Sequence, residues 1–233
     1  MAKRPDLTEP PTASVAALAA QGGLGQWSGW TYVPYGGLRY RKWKDCRLYL
    51  YAGGVVISDT RAGFEITRGW ADTRVLVYRR SLNGGLTHSC HTLIDPAGVG
   101  VSIGPGDRTF RGGDKQMHGI TEALNGPPFL YPGDWGDYIQ EGITKTQLPS
   151  VLARIERGES VRFGAYSVDR HGVTGRKRTA AWTEIAHYET DEARLHLNNA
   201  RNRSVGDAAN TYDITNLNVF LNVVQRLKRG LAQ

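Results

Sequence analysis

The chain has 233 residues, 40% of them hydrophobic, and contains 29 Gly and 10 Pro. That is enough apolar material for one large core or two small ones, and too many chain breakers for a coiled-coil protein. The net charge of +7 is spread over two blocks, with thirteen basic residues against eight acidic over 38–130 and eleven against eight over 159–233. A dedicated nucleic-acid binder more often concentrates its charge on one helix or arm.

The longest nearly charge-free apolar stretch, around Val15 to Leu24, is far shorter than the roughly 18 to 20 residues of a membrane span. Lys3 and Arg4 are followed by Asp6, Glu9 and three prolines, which breaks the signal-peptide pattern. A cytoplasmic chain is expected, with Cys46 and Cys90 reduced inside strand-like runs.

In chain order, residues 1–25 are expected as a flexible tail. Within it a short helix over 13–20 is available, capped by Thr12 or Ser14 and ended by Gly22-Gly23. From Trp27 to Phe110, β-branched and aromatic runs alternate with Gly, Asp, Asn and Pro, predicting strands at 39–43, 47–51, 55–58, 63–70, 73–80, 87–94, 99–103 and 108–110. Turns fall at Gly53-Gly54, Asn83-Gly84-Gly85 and Asp95 to Gly98.

Residues 111–133, rich in Gly and Pro, read as a long surface loop. Asp134 can cap a helix over 134–146, and Pro149 can start a second over 149–157 that Gly158 closes. Strands follow at 161–168, 172–174, 179–185, 187–190 and 194–197. Leu217, Phe220, Leu221, Val224 and Leu227 then mark one face of a last helix, with Asp213 or Thr215 as its cap and Phe220, Leu221 and Val224 buried.

An internal repeat is visible: residues 48–70 and 165–182 both run strand, Gly, strand, polar turn and a strand ending at a tryptophan, Trp70 or Trp182. Three segments of the second half carry a wider likeness: Val161-Arg-Phe-Gly-Ala-Tyr-Ser-Val-Asp-Arg-His-Gly-Val173, Ala181-Trp-Thr-Glu-Ile185 and Tyr212-Asp-Ile-Thr-Asn-Leu-Asn-Val-Phe-Leu221. In the first half Arg47-Leu-Tyr-Leu-Tyr-Ala-Gly-Gly-Val-Val56 and Val77-Tyr-Arg-Arg-Ser81 join them. The chain thereby resembles an uncharacterised bacterial family of paired pleckstrin-homology-like domains over about residues 38–110 and 145–229, departing from it at Gly69, where a fuller residue is usual.

The resemblance implies a mainly β fold with helices (α+β): two tandem small β-barrels or sandwiches, each followed by an amphipathic helix. After the tail at 1–25, the halves would be 26–147 and 148–233. No activity comes with it.

Candidate chemistry is sparse. Gly100-Val-Ser102-Ile-Gly104 fits the hydrolase pattern G-x-S-x-G, which needs a strand turning into a helix over a parallel sheet. Pro105-Gly106 follows instead, so Ser102 reads as a solvent-facing strand serine and a Ser102 hydrolase stands as the last alternative. His88, Cys90 and His91 are close in sequence, but a zinc site would need Cys46 or His118 as well. Gly106 to Lys115 has Asp114 where a phosphate-binding loop has glycine. No catalytic residue, metal set or cofactor is assigned.

Two basic clusters are the candidate binding residues. One is Arg39, Arg41, Lys42 and Lys44, with Arg47 beyond; the other is Arg176, Lys177 and Arg178 in the turn before the Trp182 strand. Either can face anionic lipid or be a solvated strand edge that charge keeps from aggregating. Trp27, Trp30, Tyr32 and Tyr35 can stack on nucleic-acid bases or pack on the first half. The expected function is non-enzymatic binding or scaffolding of a protein or peptide partner. Peripheral attachment to anionic headgroups on the inner face of the membrane is the alternative.

Overall fold

Short β-branched runs separated by glycine turns can satisfy their backbone groups only by pairing with one another, and here they pair as meanders. The computed structural model of the chain describes residues 7–59, 64–82, 85–106, 108–191 and 193–230. The first sheet holds β1 (Trp27–Tyr32), β2 (Cys46–Tyr51), β3 (Gly54–Asp59) and β4 (Phe64–Gly69), antiparallel in that order. The second holds β5 (Arg74–Leu82), β6 (Gly85–Ile94) and β7 (Val99–Ile103), with β8 (Glu122–Asn125) added parallel to β7. The third holds β9 (Val161–Phe163), β10 (Tyr166–Val168), β11 (Gly172–Thr174) and β12 (Thr179–Ala181). The fourth holds β13 (His187–Asp191), β14 (Arg194–Asn198) and β15 (Ala209–Asn210). The architecture is mixed α+β, as expected, with sandwich-like sheets in place of closed barrels. The predicted turn at Asn83-Gly84 and the strand start at Gly63 lie outside the described residues.

Strand alternation explains the burial. On β2, Leu48 and Leu50 face the main core, while Tyr49 and Tyr51 face outward under helix α1 (Ala13–Gln21) together with Val56 of β3. Helix α1 is capped by Thr12, whose hydroxyl accepts the Val15 N–H at 3.4 Å. Val15, Ala19 and Leu24 are buried, so this part of the expected tail is a packed layer.

Other expectations yield to tertiary contacts. Leu38–Trp43 is a 3-10 helix, not a strand: it is entered through Gly37 at φ 109° and none of its residues is buried, so nothing favours strand pairing. Residues 108–110 form no strand. The expected loop 111–133 contains helix α2 (Gly112–His118) and β8, and Phe110 and Ile120 cover the outer face of the second sheet at Leu76 and Ile94.

The two expected helices are one, α3 (Pro132–Glu156), with Pro149 inside it. Pro149 and Lys145 are both exposed, so the hydrogen bond that proline deletes falls on the solvent face. The expected strand 161–168 folds back on itself at Gly164 (φ 65°) into the β9–β10 hairpin. Helix α4 (Leu217–Gly230) starts after Asn216 rather than at Asp213 or Thr215. It buries Phe220 and Val224 as expected, but Val219 and Val223 take the place given to Leu221, which is half-buried.

One apolar cluster runs through both halves. Trp135, Ile139 and Ile143 of α3 join the first two sheets, and Leu148, Val151 and Ile155 continue into the second half, where α3 meets β9 and α4.

Candidate functional site

The Gly164 reversal places a hairpin tip beside α2, where a side chain at 164 would collide with the Asp213 carbonyl and the His118 ring. Two bonds hold the tip: Ala165 N–H donates to the Asp213 carbonyl at 2.9 Å, and the Tyr166 hydroxyl donates to the Asp207 carbonyl. Burial raises the Tyr166 phenol to about 12, so it stays protonated and donates at any ordinary pH. Helix α2 is pinned from behind, with His118 Nδ1 3.1 Å from the Thr215 hydroxyl.

Between hairpin and helix lies an open cleft of about 720 Å³, with Gly113, Gln116 and Met117 of α2 on its border. Arg162 of β9, Arg176 of the β11–β12 turn and Arg194 of β14 line it, together with Asp207 and Asp213. The acids are already engaged: the Asp207 carboxylate accepts the backbone N–H groups of Lys177 and Arg178, and that of Asp213 accepts Asn210 Nδ2 at 3.0 Å. Of the cations, Arg162 gives one bond, Nε to the Gly164 carbonyl at 3.3 Å, while the side chains of Arg176 and Arg194 make no hydrogen bond or ion pair among the described residues. The arrangement favours an anionic ligand, because guanidinium groups recognise carboxylate and phosphate through paired N–H donors.

Asp213 also borders a smaller hollow of about 260 Å³ beside Arg108. This guanidinium lies 4.6 Å from the Phe110 ring centre and 5.6 Å from that of Tyr212, and Nη2 donates to the Tyr212 carbonyl at 2.9 Å. Its Nη1 is buried without a partner among the described residues. Nothing in the sequence singles Arg108 out.

The sequence-predicted residues divide. Arg39, Arg41, Lys42 and Lys44 are all exposed on the β1–β2 connection, while Arg47 is held by Glu9 at 2.7 Å. Arg176, Lys177 and Arg178 are exposed on the second half, and only Arg176 lines the cleft. Ser102, expected at the surface, is buried on β7, with its hydroxyl 2.8 Å from that of Thr92. It stands within a strand, not at a strand-to-helix turn.

His91 and Cys90 are buried, and Cys46, on β2 of the other sheet, donates its thiol to Asp59 at 3.4 Å. Among the described residues no three His, Cys, Asp or Glu side chains are grouped to hold a metal. Asp114 occupies the first turn of α2, where its carboxylate accepts the Arg111 N–H at 3.1 Å. Of the early aromatics, Tyr32 is buried, Trp27 packs under α1 and Trp30 is 47% exposed.

These features define a mixed α+β protein of largely antiparallel, sandwich-like sheets with a cation-lined cleft and, among the described residues, no helix long and apolar enough to cross a membrane. Residues 115–232 match the model of a family of unknown function, DUF6585, and the chain belongs to that family. The match begins within α2 and takes in α3 and the whole second half. No curated protein and no solved structure matches the chain.

Proposed function

We propose that the chain is a non-enzymatic cytoplasmic binding protein of two pleckstrin-homology-like halves, 26–147 and 148–233, and that its cleft takes an acidic segment of a protein partner. Support for the paired halves is the recurrence of a four-stranded meander, a three-stranded meander and a helix. The observation that carries the ligand is the state of the charges in the cleft: Asp207 and Asp213 are satisfied internally, while Arg176 and Arg194 have no partner among the described residues.

Fluorescence anisotropy with a labelled oligoglutamate peptide tests this reading. Binding should weaken as salt rises, because screening sets in beyond about 8 Å at physiological ionic strength. Arg194→Gln and Arg162→Gln should each weaken it about tenfold, the equivalent of one charge-assisted hydrogen bond. No binding at low salt, or binding indifferent to both substitutions, would refute the acidic-segment reading.

A further inference from the structure

The 3-10 helix Leu38–Trp43 is an unusual surface element. Leu38 at its start is 90% exposed, on a turn that departs from buried Tyr32 and returns at buried Cys46. Around it lies an aromatic collar. Tyr40 packs on Tyr35 with ring centres 6.3 Å apart, and Tyr35 N–H donates to the Pro128 carbonyl at 2.9 Å. The Leu130 N–H donates to the Val33 carbonyl at 2.9 Å, and the Pro34–Phe129 bridge brings the 40%-exposed Tyr131 alongside.

Three cations lie on the element, Arg39, Arg41 and Lys42, and a fourth, Lys44, is its C-cap; none of them is ion-paired among the described residues. Lys42 Nζ lies 4.7 Å from the Trp43 ring centre and the Arg39 guanidinium 5.6 Å from that of Tyr40. Water gives no reason to hold out a leucine so fully. The interface of a bilayer does: an apolar tip enters the acyl boundary, aromatic rings sit at headgroup depth, and lysine and arginine stems lie along apolar surface with their charges among phosphates.

We infer that Leu38–Trp43 is a membrane-docking tip that seats on an anionic phospholipid surface, with Leu38 inserted and Arg39, Arg41, Lys42 and Lys44 at the headgroups. The inference is independent of the cleft, which lies in the second half and α2. Charge complementarity selects the occupant, since each of these cations contributes about fivefold to partition near an anionic leaflet.

The full chain carrying Leu38→Cys provides the test, because Cys46 and Cys90 are buried and an environment-sensitive dye will label position 38. Vesicles of phosphatidylcholine with phosphatidylglycerol should raise and blue-shift the dye emission, vesicles of phosphatidylcholine alone should not, and salt should reverse the change. In sedimentation of the unlabelled chain, the Arg39→Gln, Arg41→Gln double variant should bind the anionic vesicles about 25-fold more weakly, and Leu38→Ser should also bind less. Unchanged emission with anionic vesicles at low salt, from protein whose circular dichroism is native, would overturn the inference. So would sedimentation that the Arg176→Ala, Lys177→Ala, Arg178→Ala triple variant abolishes and the Arg39 and Arg41 substitutions leave intact.

Discussion

Trp70 and Trp182 occupy equivalent positions. Each is the residue after the fourth strand of a four-stranded meander. Each donates its indole N–H at 3.0 Å to the first residue after the second strand, Ala52 or Asp169. Each backbone N–H bonds the last residue of the same turn, Gly53 at 2.9 Å or His171 at 3.2 Å. The tryptophan thus ties the end of its sheet to the turn between the two middle strands. Trp70→Phe and Trp182→Phe, which keep most of the apolar bulk and delete the donor, are expected to cost about 1 to 2 kcal/mol each in urea unfolding. A cost confined to one of them would mean that the likeness is only topological.

Gly142 is a packing requirement. A Cβ there would lie 2.6 Å from Trp70 Nε1, against a ring only 2% exposed. Gly142→Ala should therefore destabilise by roughly 1 to 3 kcal/mol despite the better helix propensity of alanine. Gly133, in the first turn of the same helix, has open space around it, and Gly133→Ala should be neutral or slightly stabilising. Thermal melts of the pair separate the two effects.

Phe220 is fully buried, stacked on Tyr166 at 5.2 Å and edge-on to Phe163 at 5.5 Å. Phe220→Ala should cost about 3 to 5 kcal/mol in chemical denaturation, the range for a large core aromatic. An unchanged midpoint would contradict the docking of α4 on the β9–β10 hairpin.

Asn216 joins the halves. Its Oδ1 accepts the Val75 N–H at 2.7 Å, its own N–H donates to the Val75 carbonyl at 2.8 Å, and Nδ2 donates to Gln147 Oε1 at 2.8 Å. Gln147 Nε2 in turn bonds the carbonyls of Trp70 and Thr73. Asn216 also has φ 52°, which asparagine tolerates better than most residues. Asn216→Ala strands the buried Val75 N–H and strains the backbone, for an expected loss of about 2 to 4 kcal/mol. Hydrogen exchange at the Val75 amide should accelerate with it.

Two histidines set an acid limit. Burial, with Arg79 adding repulsion, lowers His91 from 6.5 to about 3, and burial, then Arg108, lowers His118 to about 4. Well above pH 6.5 both imidazoles are neutral in folded and unfolded chains alike and add no pH dependence to stability. Below it the unfolded chain takes up protons that the folded chain refuses. Stability then falls by up to about 1.4 kcal/mol per pH unit for each histidine, down to its folded value. Urea titrations between pH 7.5 and 5 should show this fall, and His118→Asn should make it shallower. A flat profile would contradict the neutral burial of both rings.

What the sequence by itself determined is what depends on neighbours a few residues away. β7 runs over Val99–Ile103 as predicted, Thr12 caps α1, and the 3.6-residue spacing of Phe220 and Val224 marks the face of α4 that is buried. The 3-10 helix Leu38–Trp43 alternates like a strand, and Pro149 looks like a helix start. In both, local pattern lost to what lies beyond it: the lack of any buried side chain to anchor a strand in one, and an exposed face able to absorb the missing bond in the other.

The cleft was less legible still. Arg162, Arg176 and Arg194 come from three separate strands and turns, and α2, which forms the opposite wall, falls in residues that read as loop. Only the tertiary structure decided that these cations share a cavity while Asp207 and Asp213 are occupied by other donors. A binding surface assembled from distant segments leaves no spacing in the chain, and whether a charge is free or satisfied depends on contacts that exist only after folding.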